Sequence, residues 1–204
     1  MCTKKFFFGK KISFLLKKNT HPYVQHFNSK SKSQSMMIRG KAIEEALRFY
    51  IKNKETLNLR QKDIIDYAFD YYFLRTSKLS NQIAKKNSNS IPQLVRSGVY
   101  FFDNILSKNS ILLNSSLSDG KIDIYPDFAL TNIKFNDQLI KKCLIELKIV
   151  SESNFKVDSR YKRQALKYAY WSNLPVLLAY LVIKEKKSLN TVIFESYPRI
   201  ISFF

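Results

Sequence analysis

Cysteine is nearly missing from this chain: 204 residues contain two, Cys2 and Cys143, one beside the start and the other far along. Two such distant thiols build neither a disulfide framework nor a cysteine zinc or iron–sulfur cluster, and they fit a reducing cytoplasm. Long apolar runs are lacking as well. None reaches the roughly 18 residues of a membrane span, so no membrane association is expected. The segment from Met1 to Leu16 carries Phe6-Phe7-Phe8 and Ile12 to Leu16. It faintly imitates a signal peptide, but Lys10 and Lys11 break the apolar run and no small-residue cleavage site follows, so a basic arm is the preferred reading over a targeting segment. Acidic residues are scarce too, 16 against 35 Lys and Arg, for a formal charge of +19. A field that positive attracts polyanions, since each neutralised phosphate releases condensed counterions. A lysine-rich coding bias is the bland alternative.

What is present is ample material for one core: 45% hydrophobic residues, 14% aromatic. Residues 1–36 read as a basic arm and linker, with the Ser/Lys-rich stretch 28–35 as its polar end, and 37–204 as a folded domain. Helical periodicity predicts helices over about 37–52, 60–78 and from Pro92 to Ser107. The pattern then turns β-branched and apolar. Ile111–Leu117, Ile122–Leu130 and Gln138–Val150 read as strands in successive hairpins, parted by Ser118-Asp119-Gly120 and by Asn132 to Asp137. A helix from Asp158 to Ser172 and strands Val176–Ile183 and Thr191–Ser196 complete the order. Helices, three strands, a helix and two strands predict an α/β fold, a central mixed sheet flanked by helices.

Two charges stand out in an otherwise apolar strand, Cys143 to Val150. Alternation puts Glu146 and Lys148 on one face. Burying such charges costs several kcal/mol per ion, at order of magnitude, without a partner or metal. The alternative is an edge strand with one wet face. In the preceding strand Asp127 follows Pro126, a residue that a central strand rejects except at a bulge. If the two strands form a hairpin, Asp127 and Glu146 converge at one end of the sheet. Two carboxylates beside a lysine suit a hard, oxygen-liganded cation such as Mg²⁺.

Pro126-Asp127, followed nineteen positions after the aspartate by Glu146-Leu147-Lys148, resembles the signature of the PD-(D/E)XK nucleases. Arg39-Gly40-Lys41-Ala42-Ile43-Glu44 is similar to the Gly-x-x-x-His/Glu motif that the RecB-like and phage-exonuclease branches carry at the start of a helix. Gln164-Ala165-Leu166-Lys167-Tyr168 resembles their Gln-x-x-x-Tyr motif. The resemblance covers about residues 37–184 and implies a restriction-endonuclease-like αβββαβ core. Glutamate stands at position 44 where many RecB-like members have histidine, which shifts the site toward all-oxygen coordination. Glu44 borders the apolar stripe with Leu47 and Ile51, whereas Glu45 shares a polar face with Lys41, Arg48 and Lys52. Glu44 is therefore the expected ligand.

The resemblance implies a Mg²⁺-dependent DNA nuclease, with Mn²⁺ supporting activity as well. Its expected use is as an exonuclease on DNA ends in recombination, repair or degradation. Asp127, Glu146, the Leu147 carbonyl and Glu44 would hold metal. Lys148 would serve the attacking water or the transition state, and Gln164 would position substrate or the lysine. Tyr168 and the basic residues Arg160, Arg163 and Lys167 would meet DNA. Further expected partners are a second copy of the chain or a recombination or repair protein. The competing readings are a non-catalytic DNA-binding module of the same fold, a restriction-type endonuclease, and a transfer-RNA or ribosome-associated basic protein. The last explains the charge but not the carboxylates within strands. Tyr161 and Trp171 read as an aromatic packing face. His21 and His26 are expected on the arm.

Overall fold

The computed structural model describes residues 32–77, 79, 81–114, 116–118, 123–152, 158–188 and 191–203. Most of the expected basic arm, with His21 and His26, lies outside the described residues. Among the described residues eleven elements follow in order: α1 (Lys32–Asn53), α2 (Gln61–Thr76), α3 (Asn81–Ser88), α4 (Ile91–Ile105), β1 (Leu117–Ser118), β2 (Asp123–Ile124), β3 (Phe128–Phe135), β4 (Gln138–Ser151), α5 (Ser159–Ser172), β5 (Val176–Ser188) and β6 (Thr191–Phe203). The protein is a mixed α/β structure.

Two features depart from expectation in the first half. Helix α1 begins at Lys32, so the end of the supposed linker is helical. The reason is a buried polar network: Ser35 Oγ meets Tyr72 Oη at 2.6 Å and accepts from Asn87 Nδ2 at 2.9 Å. The Tyr72 hydroxyl in turn donates to the Ala84 carbonyl at 3.0 Å. A polar residue is tolerated in a core when its hydrogen bonds are made there. The second departure is α3, a short, polar helix of eight residues. The other helices show their local causes. At the start of α2 the Arg60 amide donates to the Asp63 carboxylate. Pro92 sits in the first turn of α4, where its missing N–H costs nothing. Gly98 of α4 lets that helix approach α1 closely, since a Cβ there would stand 2.6 Å from Leu47 Cδ1.

β3, β4, β5 and β6 form one sheet in that spatial order. The pairs β3–β4 and β5–β6 are antiparallel, whereas β4–β5 is parallel, bridged by α5. The β3–β4 hairpin turns on Asn136 and Asp137, both left-handed (φ 48° and 60°), as a two-residue hairpin whose twist matches its strands requires. The turn predicted over 132–137 is thus confined to its last two residues. Asn132 also adopts a positive φ of 53° but within β3. Its carbonyl there accepts from the Ser107 and Ser110 hydroxyls at 2.6 and 2.8 Å.

The segment expected as a strand over 111–117 is not a member of the main sheet. Its first part does pair briefly with β3, through the Leu112–Leu130 bridge and the bonds Leu113 N to Ala129 O (2.8 Å) and Thr131 N to Ile111 O (3.0 Å), whereas Leu117–Ser118 pairs with β2 in a separate two-stranded ribbon. Asp127 lies just before β3 rather than inside a strand, because Pro126 has no N–H to give the ladder. The last two strands extend past their predicted ends.

Side chains alternate across the sheet and sort into two layers. Phe128, Leu130, Ile145, Leu147, Leu177, Ala179 and Leu181 face α1, α2, α3 and α4 in the larger core. Ala129, Leu144 and Val176 pack with Ala165 of α5 on the other face, and Leu178, Tyr180 and Val182 pack there with Tyr161.

Candidate functional site

β4 is an inner strand, hydrogen-bonded to β3 on one side and β5 on the other, and Glu146 is 3% exposed. That removes the wet-edge reading of the Glu/Lys pair. Glu146 and Lys148 project together from the sheet face covered by α5, as alternation requires. Lys148 Nζ donates to Glu146 Oε1 at 2.5 Å and stands 4.9 Å from the centroid of the Tyr161 ring. Burial by itself would lower the lysine's pKa. The Glu146 carboxylate, with Asp127 further off, outweighs it and holds the ammonium above its ordinary value. Tyr161, expected to be mere packing, therefore also covers this cation.

Gln164, one turn into α5, aims its amide into the same place. Nε2 donates to Glu146 Oε1 at 2.8 Å and to Tyr168 Oη at 3.1 Å, and that hydroxyl reaches the Tyr125 carbonyl at 3.5 Å. The two polar residues of the Gln-x-x-x-Tyr segment are thus joined to each other, and through Gln164 to Glu146. Glu146 Oε2 is buried without a hydrogen-bond partner among the described residues.

Asp127 meets the site across the hairpin. Phe128 pairs with Ile145, which brings the preceding aspartate beside Glu146 and Leu147. Asp127 Oδ2 accepts from the Leu147 amide at 2.7 Å. Leu147 thus meets Asp127 through its N–H. Burial, then the negative charges of Glu44 and Glu146, push the Asp127 carboxyl up to about 8, against the weaker pull of Lys148 and the Leu147 amide.

Glu44 approaches from the other layer, on α1, and its oxygen is already engaged. Lys41 Nζ lies 2.6 Å from Oε1, and Arg48 Nε 3.2 Å. Arg48 also donates to the Asp127 carbonyl and covers the Phe128 ring at 5.0 Å. This residue was expected on a solvated face. Instead it clamps α1 to the Pro126-Asp127 corner, at a sequence separation that no local pattern reveals. Glu45 pairs with Lys41 at 3.3 Å, the salt-bridge role expected of it. The Gly40 motif lies in the third turn of α1 rather than at its start.

Among the described residues, no three His, Cys, Asp and Glu side chains are gathered closely enough to hold a metal ion as they stand. The donor set fits one in two respects. An orphaned buried carboxylate oxygen on Glu146 and a carboxyl on Asp127 held protonated by burial and its acidic neighbours are both relieved by a divalent cation.

On α5, Arg160 bonds to the helix-capping Asp158 (Nη2 to Oδ2, 2.6 Å), Arg163 reaches the Ser159 carbonyl, and Lys167 stands 5.8 Å from the Trp171 ring centroid. All three are exposed, so they flank the buried site without entering it.

The raised Asp127 carboxyl has a measurable consequence. Between its unfolded value near 4 and about 8 the native state binds a proton that the unfolded chain has released, so stability falls as pH rises through that window. Thermal midpoints of the metal-free protein are expected to fall from pH 5 to pH 8 more steeply than those of Asp127→Asn. Adding Mg²⁺ at pH 8 is expected to restore the wild type alone. Parallel pH profiles for the two proteins would exclude this buried titration.

Among the described residues, no helix is long and apolar enough to cross a membrane. No family model and no curated protein matches the chain. Among solved structures, that of SSO0001 is similar at 14% identity over 94% of this chain and 75% of that one, with a TM-score of 0.28, a likeness too slight to carry an argument.

Proposed function

We propose that the chain is a Mg²⁺-dependent deoxyribonuclease of the PD-(D/E)XK type, acting in the cytoplasm on DNA ends. The observation that carries it is the Glu146 carboxylate. It is buried on an inner strand, with one oxygen held by Lys148 and Gln164, the other without a partner among the described residues, and Asp127 beside it. A buried charge this incompletely satisfied is costly unless it has a task. The helix α1, the β3–β4 hairpin preceded by β2, the crossover α5 and the parallel β5 support a restriction-endonuclease-like core. A charge of +19 supports a polyanionic substrate.

Asp127 and Glu146 would hold the cation, with Glu44 and the Leu147 carbonyl as further oxygen donors. Bound there, Mg²⁺ or Mn²⁺ lowers the pKa of water and neutralises charge on the scissile phosphate. The rest of the chemistry belongs to the chain. Lys148 holds a proton at Nζ within reach of the carboxylates, where it can orient a water molecule or stabilise the anionic transition state. Gln164 fixes the Glu146 carboxylate and is itself fixed by Tyr168. The Leu147 amide holds Asp127. Arg48 ties the Asp127 backbone and Glu44 together, linking α1 to the hairpin corner. Arg163 and Lys167 offer charge to flanking phosphates.

End-labelled linear DNA and covalently closed circular DNA, incubated with the full chain, test this directly. Degradation of the linear form in Mg²⁺ or Mn²⁺, an intact circle, and no cleavage in EDTA are expected. Cutting of both forms would make the enzyme an endonuclease. No cleavage of any DNA in either cation would overturn the reading.

A further inference from the structure

Helix α5 carries Arg160, Lys162, Arg163 and Lys167 and not one acidic residue between Ser159 and Ser172. Its solvent side is also aromatic. Tyr170 is 85% exposed and Trp171 41%, although α5 buries Ala165 against the sheet and has an inward face available for rings. Helical spacing arranges these side chains in two adjoining stripes. One runs Gln164, Lys167, Trp171; its neighbour runs Arg163, Leu166, Tyr170. The first stripe starts at the glutamine that holds Glu146 and ends about 10 Å along the helix at Trp171. Lys167 Nζ already lies over the Trp171 ring at 5.8 Å, so cation and π face are presented together.

We propose that this face of α5 is a track for an unpaired nucleic-acid strand, its bases stacking on Trp171 and Tyr170 and its phosphates meeting Arg163 and Lys167. The inference deepens the nuclease reading and rests on it: the strand entering or leaving the carboxylate site is single. Charge complementarity selects a polyanion, and the exposed rings select one with free π faces. Duplex bases are already stacked on each other, whereas every base of a single strand offers a face. Lys162 and Arg160 extend the positive border, although Arg160 is partly neutralised by Asp158.

The chain contains one tryptophan, so its emission reports on the track alone. The full-length protein is titrated in EDTA, where no cleavage occurs, with an oligothymidylate, with inorganic polyphosphate and with a blunt duplex. Quenching by the oligothymidylate and not by polyphosphate is expected, with weaker binding of the duplex. Tyr170→Ala is expected to weaken oligothymidylate binding about fivefold or more, and Tyr170→Phe, which keeps the ring, to change it less than about twofold. The fluorophore is intact in both variants, and the exposed position makes little demand on folding. Equal quenching by polyphosphate, preference for the duplex, or an unaltered Tyr170→Ala would overturn the proposal. Because no divalent cation is present, quenching without Mg²⁺-dependent cleavage elsewhere defeats the nuclease reading alone, and cleavage without quenching defeats the track alone.

Discussion

Asp127→Asn and Glu146→Gln are each expected to lower Mg²⁺-dependent DNA cleavage on the order of a thousandfold, with the protein folded and still able to bind DNA. Groups that only orient a metal ligand typically cost about 10- to 100-fold when removed, and loss of the charged ligand itself costs more. Both substitutions preserve shape. The Asp127→Asn side chain keeps an oxygen for the Leu147 amide, and the Glu146→Gln side chain keeps one for Gln164. Asp127→Asn replaces a carboxyl that burial already keeps largely neutral, so its metal-free stability is expected to hold, whereas Glu146→Gln takes the counter-charge from the buried Lys148 and is expected to cost some metal-free stability; affinity for DNA is expected to be retained in both. Single-turnover cleavage in Mg²⁺ reads the first effect, and binding in Ca²⁺ the second. Wild-type turnover in either variant removes that carboxylate from the reacting centre.

Lys148→Met is expected to act twice. The ammonium is the cation paired with Glu146, whose other oxygen has no partner among the described residues. Removing one member of a buried pair leaves an uncompensated charge, a loss of about 3 kcal/mol or more in metal-free stability. Turnover is expected to fall about 100-fold or further, the usual scale for a group that handles a proton in the transition state. The two effects separate in the double variant Glu146→Gln/Lys148→Met, which is expected to regain stability while staying inactive. Lys148→Arg keeps the charge but not the compact, deprotonatable head, and the guanidinium also has to fit beside Tyr161. Stability is read by urea denaturation in EDTA and activity by cleavage in Mg²⁺. A fully active Lys148→Met would reduce this lysine to a structural ion pair.

The strand that carries the site was legible because its rule is local. Alternation with period two fixes Glu146 and Lys148 on one face whatever surrounds them, and the hairpin brings Asp127 opposite. Gln164 was legible for a related reason, an amide in the middle of an aromatic stripe that needs partners. What escaped depended on distant residues. Ser33, Gln34 and Ser35 read as linker, yet Ser35 is buried through Tyr72 and Asn87, 37 and 52 positions away. Arg48 looked solvated because its acceptor, the Asp127 carbonyl, lies 79 positions on. Asn132 resembled a turn residue, and its backbone is indeed left-handed, but strand pairing on both sides keeps it in β3. The helix α3 is only eight residues long and polar, with two apolar side chains, Ile83 and Ala84, too short a stretch to stand out as a helix in the sequence. The helical face favours Glu44 over Glu45, and Glu44 does lie toward Asp127, whose carboxyl its charge helps to raise. The cations that occupy it, Lys41 and Arg48, were assigned to the opposite face.

Whether Asp127 and Glu146 hold a divalent cation is read most directly from Mn²⁺ binding, followed by the electron paramagnetic resonance of the free ion. The full chain is titrated at pH 8.5, above the value to which the Asp127 carboxyl is pushed. Saturable binding in the wild type, weaker binding at pH 6, and loss of the site in both Asp127→Asn and Glu146→Gln are expected. Mn²⁺ binding that is unaltered in either variant would contradict the assignment of these carboxylates as the metal centre.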